Sequence, residues 1–130
     1  MGVFELRQGA ATEFRIDETE RVRGTGAIVI AVHGDTDMHV ADELQVRLAE
    51  VIADRPSVLV VDFSDVTFLD SMALGVLLKS LKRLREIGGR MRVVAPREEI
   101  RRIFEVTLLD RLFDVDSSRD EAIAATVSPA

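Results

Sequence analysis

The chain has 130 residues, 47% hydrophobic and 31% charged, a balance that suits one domain with a real core. Its net charge of −6, with no large basic field, disfavours nucleic acid, and the absence of cysteine excludes disulfides, thiol catalysis and thiolate metal sites. The apolar runs are too short to span a bilayer and the start, MGVFELRQGAATEFR, lacks the form of a secretory signal, so a soluble cytoplasmic protein is expected.

Residues 1–12 read as a flexible tail, with one domain over 13–127. Glu13 to Val22 is polar and irregular apart from the alternating Phe14 and Ile16, which predicts a weak edge strand. Gly24 and Gly26 mark a turn before AIVIAV, Ala27 to Val32, a β-branched apolar run that predicts a buried strand ending at Gly34. Asp37 is placed to cap a helix whose apolar stripe is Ala41, Leu44, Leu48, Val51 and Ile52. Pro56 closes that unit. SVLVVDF, Ser57 to Phe63, is apolar on both faces, as a central strand requires.

A loop, SDVTFLD, then leads into a second helix from about Ser71 to Ile87, stopped by Gly88-Gly89. MRVVA, Met91 to Ala95, is the next strand. Pro96 opens a third helix carrying Ile100, Ile103, Phe104, Thr107 and Leu108 on one face. Leu112 to Val115 predicts a short last strand. Ser118 and Glu121 form a capping box at the start of a final helix. The order β-β-α-β-α-β-α-β-α implies an α/β fold with a mainly parallel sheet and helices packed on it.

The stretch VVDFSDVTFLDSMALGVLL carries the functional signal. A buried strand ends and a helix begins at Asp70-Ser71, the kind of place where parallel sheets put function. Free N–H groups and the positive dipole end at a helix start favour an anion, so a phosphate on Ser71 is compatible with its own fold. Ser71 is equally placed to be a helix N-cap. On a helical wheel Leu74, Leu77, Leu78, Leu81 and Leu84 form the inward stripe. Met72 and Val76 fall on the other side, near Lys79 and Arg83, and are expected on a partner surface.

At this point the chain resembles the STAS domain family, in particular the bacterial anti-sigma factor antagonists. FLDSMALGVLL resembles the family's phosphoacceptor segment. GDTDMHVADELQVRL resembles its Gly-x-x-Asp turn and first helix, and GGRMRVVAPREEIRRIFEVTLLDRLF its next strand, helix and strand. The likeness runs from about Ala27 to Ile123. It implies a partner switch: the unphosphorylated antagonist binds an anti-sigma factor that is also a Ser kinase, and so frees a sigma factor. Phosphorylation by that kinase ends binding and a metal-dependent Ser/Thr phosphatase restores it.

Carried over by position, the resemblance makes Ser71 the phosphoacceptor, preceded by Asp70. Asp37 becomes the Asp beside the Ser loop. The expected docking set is Asp37, Asp70, Ser71, Met72, Val76 and Lys79, with no cofactor, no metal, no catalysis, no membrane and no direct contact with nucleic acid. Met72 and Ala73 stand where the family often has Ser and Gly, and Leu108 where a Gly commonly breaks the third helix.

Three other readings compete. A receiver domain would use Asp62 as a phospho-Asp, but it needs Mg²⁺ and an acidic pair after the first strand, which is missing. A metal could take His33, Asp35, Asp37 and His39, spaced by two, if one extended strand carried all four. The chain could also be a STAS module inside a larger signalling complex. A Ser-His-Asp catalytic set has no Gly-x-Ser-x-Gly elbow here, and no Gly-rich phosphate loop is present.

Overall fold

A computed structural model of the chain describes residues 13–127. The expected tail at 1–12 lies outside the described residues. Six strands form one sheet: β1 (Arg15–Ile16), β2 (Glu20–Arg21), β3 (Ala27–Thr36), β4 (Val58–Leu69), β5 (Arg90–Val94) and β6 (Asp114–Asp116). Among the described residues the helices are α1 (Ala41–Ala53), α2 (Ser71–Glu86), α3 (Glu98–Val106) and α4 (Arg119–Val127), with a 3-10 turn at Leu109–Arg111. Strands β3, β4, β5 and β6 run parallel in that order, and β1 and β2 lie antiparallel on the outer edge of β3. The α/β class and the mainly parallel sheet are as the strand-helix alternation requires.

Strand alternation sorts the sheet into two faces. Ile28, Ile30 and Val32 of β3, Leu59, Val61 and Phe63 of β4, and Met91 and Val93 of β5 join the main core with α1, α2 and α3. Their neighbours Val29, Val60 and Val94 form a smaller cluster on the reverse face with Ala122 of α4. In the main core Phe63 stacks on Phe104 with ring centroids 6.5 Å apart, and Phe104 meets Phe113 edge to face at 5.8 Å.

Several elements differ from the sequence reading. The edge strand is split in two, with its pairing to β3 offset by one residue between the pieces. There Asp17 N–H still donates to Ala31 O at 3.0 Å. Strand β3 does not stop at Gly34 but runs to Thr36, and the expected loop at 64–69 is the second half of β4. The two halves pair with each other through register shifts at Ala31/His33 and Gly34/Asp35, and Gly34 takes a φ of +84°, which a side chain would resist. Apart from Phe68 their outward positions are polar, which hides the strand pattern, but Val66, Thr36 and Leu69 are buried. The last strand is shifted to Asp114–Asp116, since Leu112 closes the 3-10 turn and is half exposed.

Asp37 does not cap α1. That helix starts after Val40, which makes no side-chain cap bond. Asp37 instead folds the loop before it: its Oδ1 accepts from His39 N–H at 2.9 Å and its carbonyl from Val40 N–H at 3.1 Å. The capping box at α4 is half made, with Ser118 Oγ accepting from Glu121 N–H at 3.1 Å.

Candidate docking site

The parallel strands β3 and β4 finish side by side, Thr36 opposite Leu69, so their two exits share one end of the sheet. The chain leaves β4 through Asp70, which is extended (φ −109°) and is the N-cap of α2. Its two carboxylate oxygens have separate tasks. Oδ1 accepts from Ala73 N–H at 3.0 Å and satisfies the first turn of α2. Oδ2 accepts from Met38 N–H at 2.8 Å and ties the loop that follows β3 to the helix start. The Asp70 N–H also donates to Thr36 O at 3.3 Å. One acidic side chain therefore fixes both exits relative to each other.

Ser71 is the first helical residue and is exposed. The cap belongs to Asp70, so the reading of Ser71 as a mere N-cap falls away. Ser71 opens the helix, where the first N–H groups have no acceptor within the helix itself. Three large apolar residues of this junction are exposed. Met38 is 61% exposed, Phe68 43% and Met72 55%, all within two residues of Asp70 or bonded to it. Sequence reasoning found Met72 but missed Met38 and Phe68. The available signal was a large apolar residue set among polar ones, in DTDMHV and in SDVTFLD.

Val76 is a correction. The helical wheel set it outward, yet it is 6% exposed and belongs to the main core. The buried arc of α2 runs through Ala73, Leu74, Val76, Leu77, Ser80, Leu81 and Leu84. Its centre is rotated by roughly 55° from the middle of the leucine stripe, with Leu78 only partly buried. The cause is that α2 packs on two neighbours. Lys79, Ser80, Lys82, Arg83 and Glu86 line a shallow groove against Gln45, Ala49 and Ile52 of α1, and Val76 lies one turn before that flank. A wheel centred on leucines sees the sheet but not the helix alongside. Val76 is therefore unavailable as an exposed docking residue, while Lys79 is exposed and in line with Met72 along the helix.

Gly75 lies on this same outer side, one turn after Ser71 and one before Lys79. It is exposed, its φ is outside the left-handed region, and among the described residues no other element comes within 4 Å of where its Cβ would be. Glycine inside a helix costs about 0.5–1 kcal/mol relative to alanine.

The residues of the competing readings are engaged elsewhere. Asp62 is buried: Oδ1 accepts from Ser64 N–H at 2.9 Å and from its hydroxyl, and Oδ2 from Arg119 Nε at 2.8 Å. It is a structural ion-pair partner, not an accessible acceptor. His33 is held by two carboxylates, Nε2 at 2.8 Å from Asp17 Oδ2 and Nδ1 at 2.9 Å from Asp65 Oδ2. Asp35 accepts from the Thr67 hydroxyl at 2.6 Å. His33, Asp35, Asp37 and His39 thus do not converge, and among the described residues no group of three or more His, Cys, Asp or Glu could hold a metal. The hydrogen bond from His33, and then that from Arg15, holds the Asp17 carboxyl below its ordinary value of 3.8. Among the described residues no helix is long and apolar enough to cross a membrane.

The fold and the placement of a Ser at the exit of the central strand define a STAS domain. The chain belongs to that family, whose model matches residues 15–122. It is 32% identical over 98 residues to the anti-sigma-F factor antagonist RsfB of Mycobacterium tuberculosis, an alignment covering 75% of this chain and 80% of the relative. A crystal structure of an anti-sigma factor antagonist from Mycobacterium paratuberculosis superposes with a TM-score of 0.79 at 33% identity, covering 88% of this chain and 96% of that one. The Bacillus cell fate determinant SpoIIAA in its phosphorylated form shares the fold, with a TM-score of 0.63 at 22% identity over 87% of this chain and 98% of that one.

Proposed function

We propose that this chain is an anti-sigma factor antagonist that acts by docking rather than by catalysis, and that phosphorylation of Ser71 switches it off. One observation carries the reading. Ser71 is exposed, is relieved of capping by Asp70, and lies in a junction whose Met38, bonded to Asp70, Phe68 and Met72 are exposed apolar residues. The relatives named as anti-sigma factor antagonists support it.

In this reading residues 13–127 act as one STAS domain preceded by a tail. The unmodified face binds an anti-sigma factor that is also a Ser kinase, and the sigma factor is released. Asp37 and Asp70 set the shape of the face, Ser71 is its acceptor, and Met72 and Lys79 contact the partner. The kinase transfers the γ-phosphoryl group of ATP to Ser71 Oγ, leaving ADP and a proton. The phosphate adds about −1.5 to −2 charges at neutral pH, in the middle of an apolar contact and beside Asp70. It must then be desolvated or repelled. A loss of ~3 kcal/mol weakens binding about a hundredfold. A Ser/Thr phosphatase reverses the switch.

Incubation of the chain with its cognate anti-sigma factor kinase and ATP tests this. One phosphate is expected, and peptide mapping by mass spectrometry places it on Ser71. Ser80 is buried and Ser64 is bonded to Asp62, so neither competes. Phosphate mapped to Ser57, Ser64 or Ser80 would overturn the reading.

A further inference from the structure

Away from the Ser71 end, the groove between α1 and α2 combines a cavity, a polar floor and a local charge. Its volume is about 300 Å³, that of about ten waters, at the small end of the range for ligand pockets. Ala49 and Ile52 of α1 supply apolar surface, and Gln45 an amide at the rim. Ser80 of α2 is only 6% exposed, and its hydroxyl has no hydrogen-bond partner among the described residues. No fully buried side-chain polar atom lacks a partner among them, so that hydroxyl opens onto the groove it lines.

The wall above Ser80 is cationic. Lys79, Lys82 and Arg83 are exposed and spaced i, i+3, i+4, so they are neighbours on the helix surface, where like charges destabilise. None of the three makes an ion pair among the described residues. The negative end of the helix dipole suits Arg83 in the last turn but does not reach Lys79. The chain as a whole carries −6, so this positive field is local. Glu86 lines the same groove one turn beyond Lys82 and Arg83, which sets the place for an anion toward Lys79 and Ser80.

We propose that this groove is a binding site for a small phosphate monoester with a compact apolar group. Such a headgroup carries about −1.5 to −2 charges at neutral pH, a closer match to three adjacent cations than a single carboxylate. The Ser80 hydroxyl donates to a phosphate oxygen, Lys79, Lys82 and Arg83 neutralise its charge, and the ester's apolar part lies on Ala49 and Ile52. Binding is reversible and no bond is made or broken. The site stands independently of the Ser71 switch.

The test is titration of the full chain with phenyl phosphate at constant ionic strength, followed by calorimetry and by amide NMR shifts. Saturable binding is expected, with shifts centred on Gln45–Ile52 and Lys79–Glu86. Lys82→Gln combined with Arg83→Gln should weaken it by about tenfold or more, and Ser80→Ala by about threefold, at unchanged melting temperature. Arg90→Gln combined with Arg102→Gln, which removes two exposed cations outside the groove, should stay within about twofold of wild type. Inorganic phosphate and benzoate, each lacking one half of the ligand, should both bind more weakly than phenyl phosphate. Equal losses in the two double variants would overturn the proposal in favour of general charge screening. Binding weaker than about 10 mM would also overturn it, as would Ser80→Ala binding like wild type. Benzoate binding as tightly as phenyl phosphate would refute the choice of phosphate, and an oligoglutamate peptide binding more tightly would assign the groove to an acidic protein segment instead.

Discussion

Asp70→Ala removes the residue that joins the two exits of the sheet, and its cost can be worked from the bonds it makes. Loss of the cap leaves Ala73 N–H without an acceptor in a partly buried setting, which costs about 1 kcal/mol. Loss of the second bond frees Met38 N–H, which is exposed and can turn to water, so the added cost is ~0.5–1 kcal/mol. The total is about 2 kcal/mol. For a chain of this length that lowers the melting temperature by roughly 8 °C. Asp70→Asn has one carbonyl oxygen where the wild type has two acceptors, and its amide cannot accept from an N–H. It should keep one bond and lose about half as much. Urea denaturation of the three proteins, with a common slope, measures this. A loss below ~0.5 kcal/mol for the alanine variant would refute the reasoning, as would an asparagine variant as unstable as the alanine one.

Three further outcomes follow from particular contacts. Val76→Ala should destabilise the chain by about 2 kcal/mol because the side chain is in the core, whereas Met72→Ala should cost under ~1 kcal/mol; equal small losses in denaturant melts would return Val76 to the surface. Phosphorylation of Ser71 should move the melting temperature by less than ~10 °C, since the helix N-terminus favours the anion by only ~0.3–1 kcal/mol and Asp70 opposes it; a larger shift in calorimetry would indicate a change of fold. The Asp17 carboxyl is held below 3.8, so the unfolded chain takes up its proton first; the stabilisation is complete above that value and is lost as pH falls through the lower folded one. Asp17→Asn should accordingly be less stable than wild type at neutral pH, and the gap should close as pH falls through the lowered folded-state value; a gap that persists once both states are protonated would contradict the pairing with His33.

What could be read from the residues alone, and what could not, has physical causes. AIVIAV and LVVDF are buried on both faces, so their strand character and parallel pairing were plain from composition. The second halves of β3 and β4 were not, because His33, Asp35, Asp65 and Thr67 point to solvent or to each other while bulges interrupt the alternation. The Asp70-Ser71 junction was legible as a strand exit meeting a helix start. Which of the two caps the helix was not, since either side chain can reach the first turn. Val76 was misplaced because one helix can bury two faces when a second helix lies alongside. Met38 and Phe68 were missed because a single exposed apolar residue is ordinary until the fold joins the two strand exits that carry them.

The central claim is that phosphate on Ser71 controls docking at an otherwise unchanged domain. Its most direct test is one titration: purified anti-sigma factor kinase, without transferable nucleotide, against the unmodified chain and against the chain phosphorylated at Ser71. The account predicts binding of the unmodified chain and an affinity lower by about a hundredfold for the phosphorylated one, the equivalent of ~3 kcal/mol. Equal affinities for the two forms would contradict it.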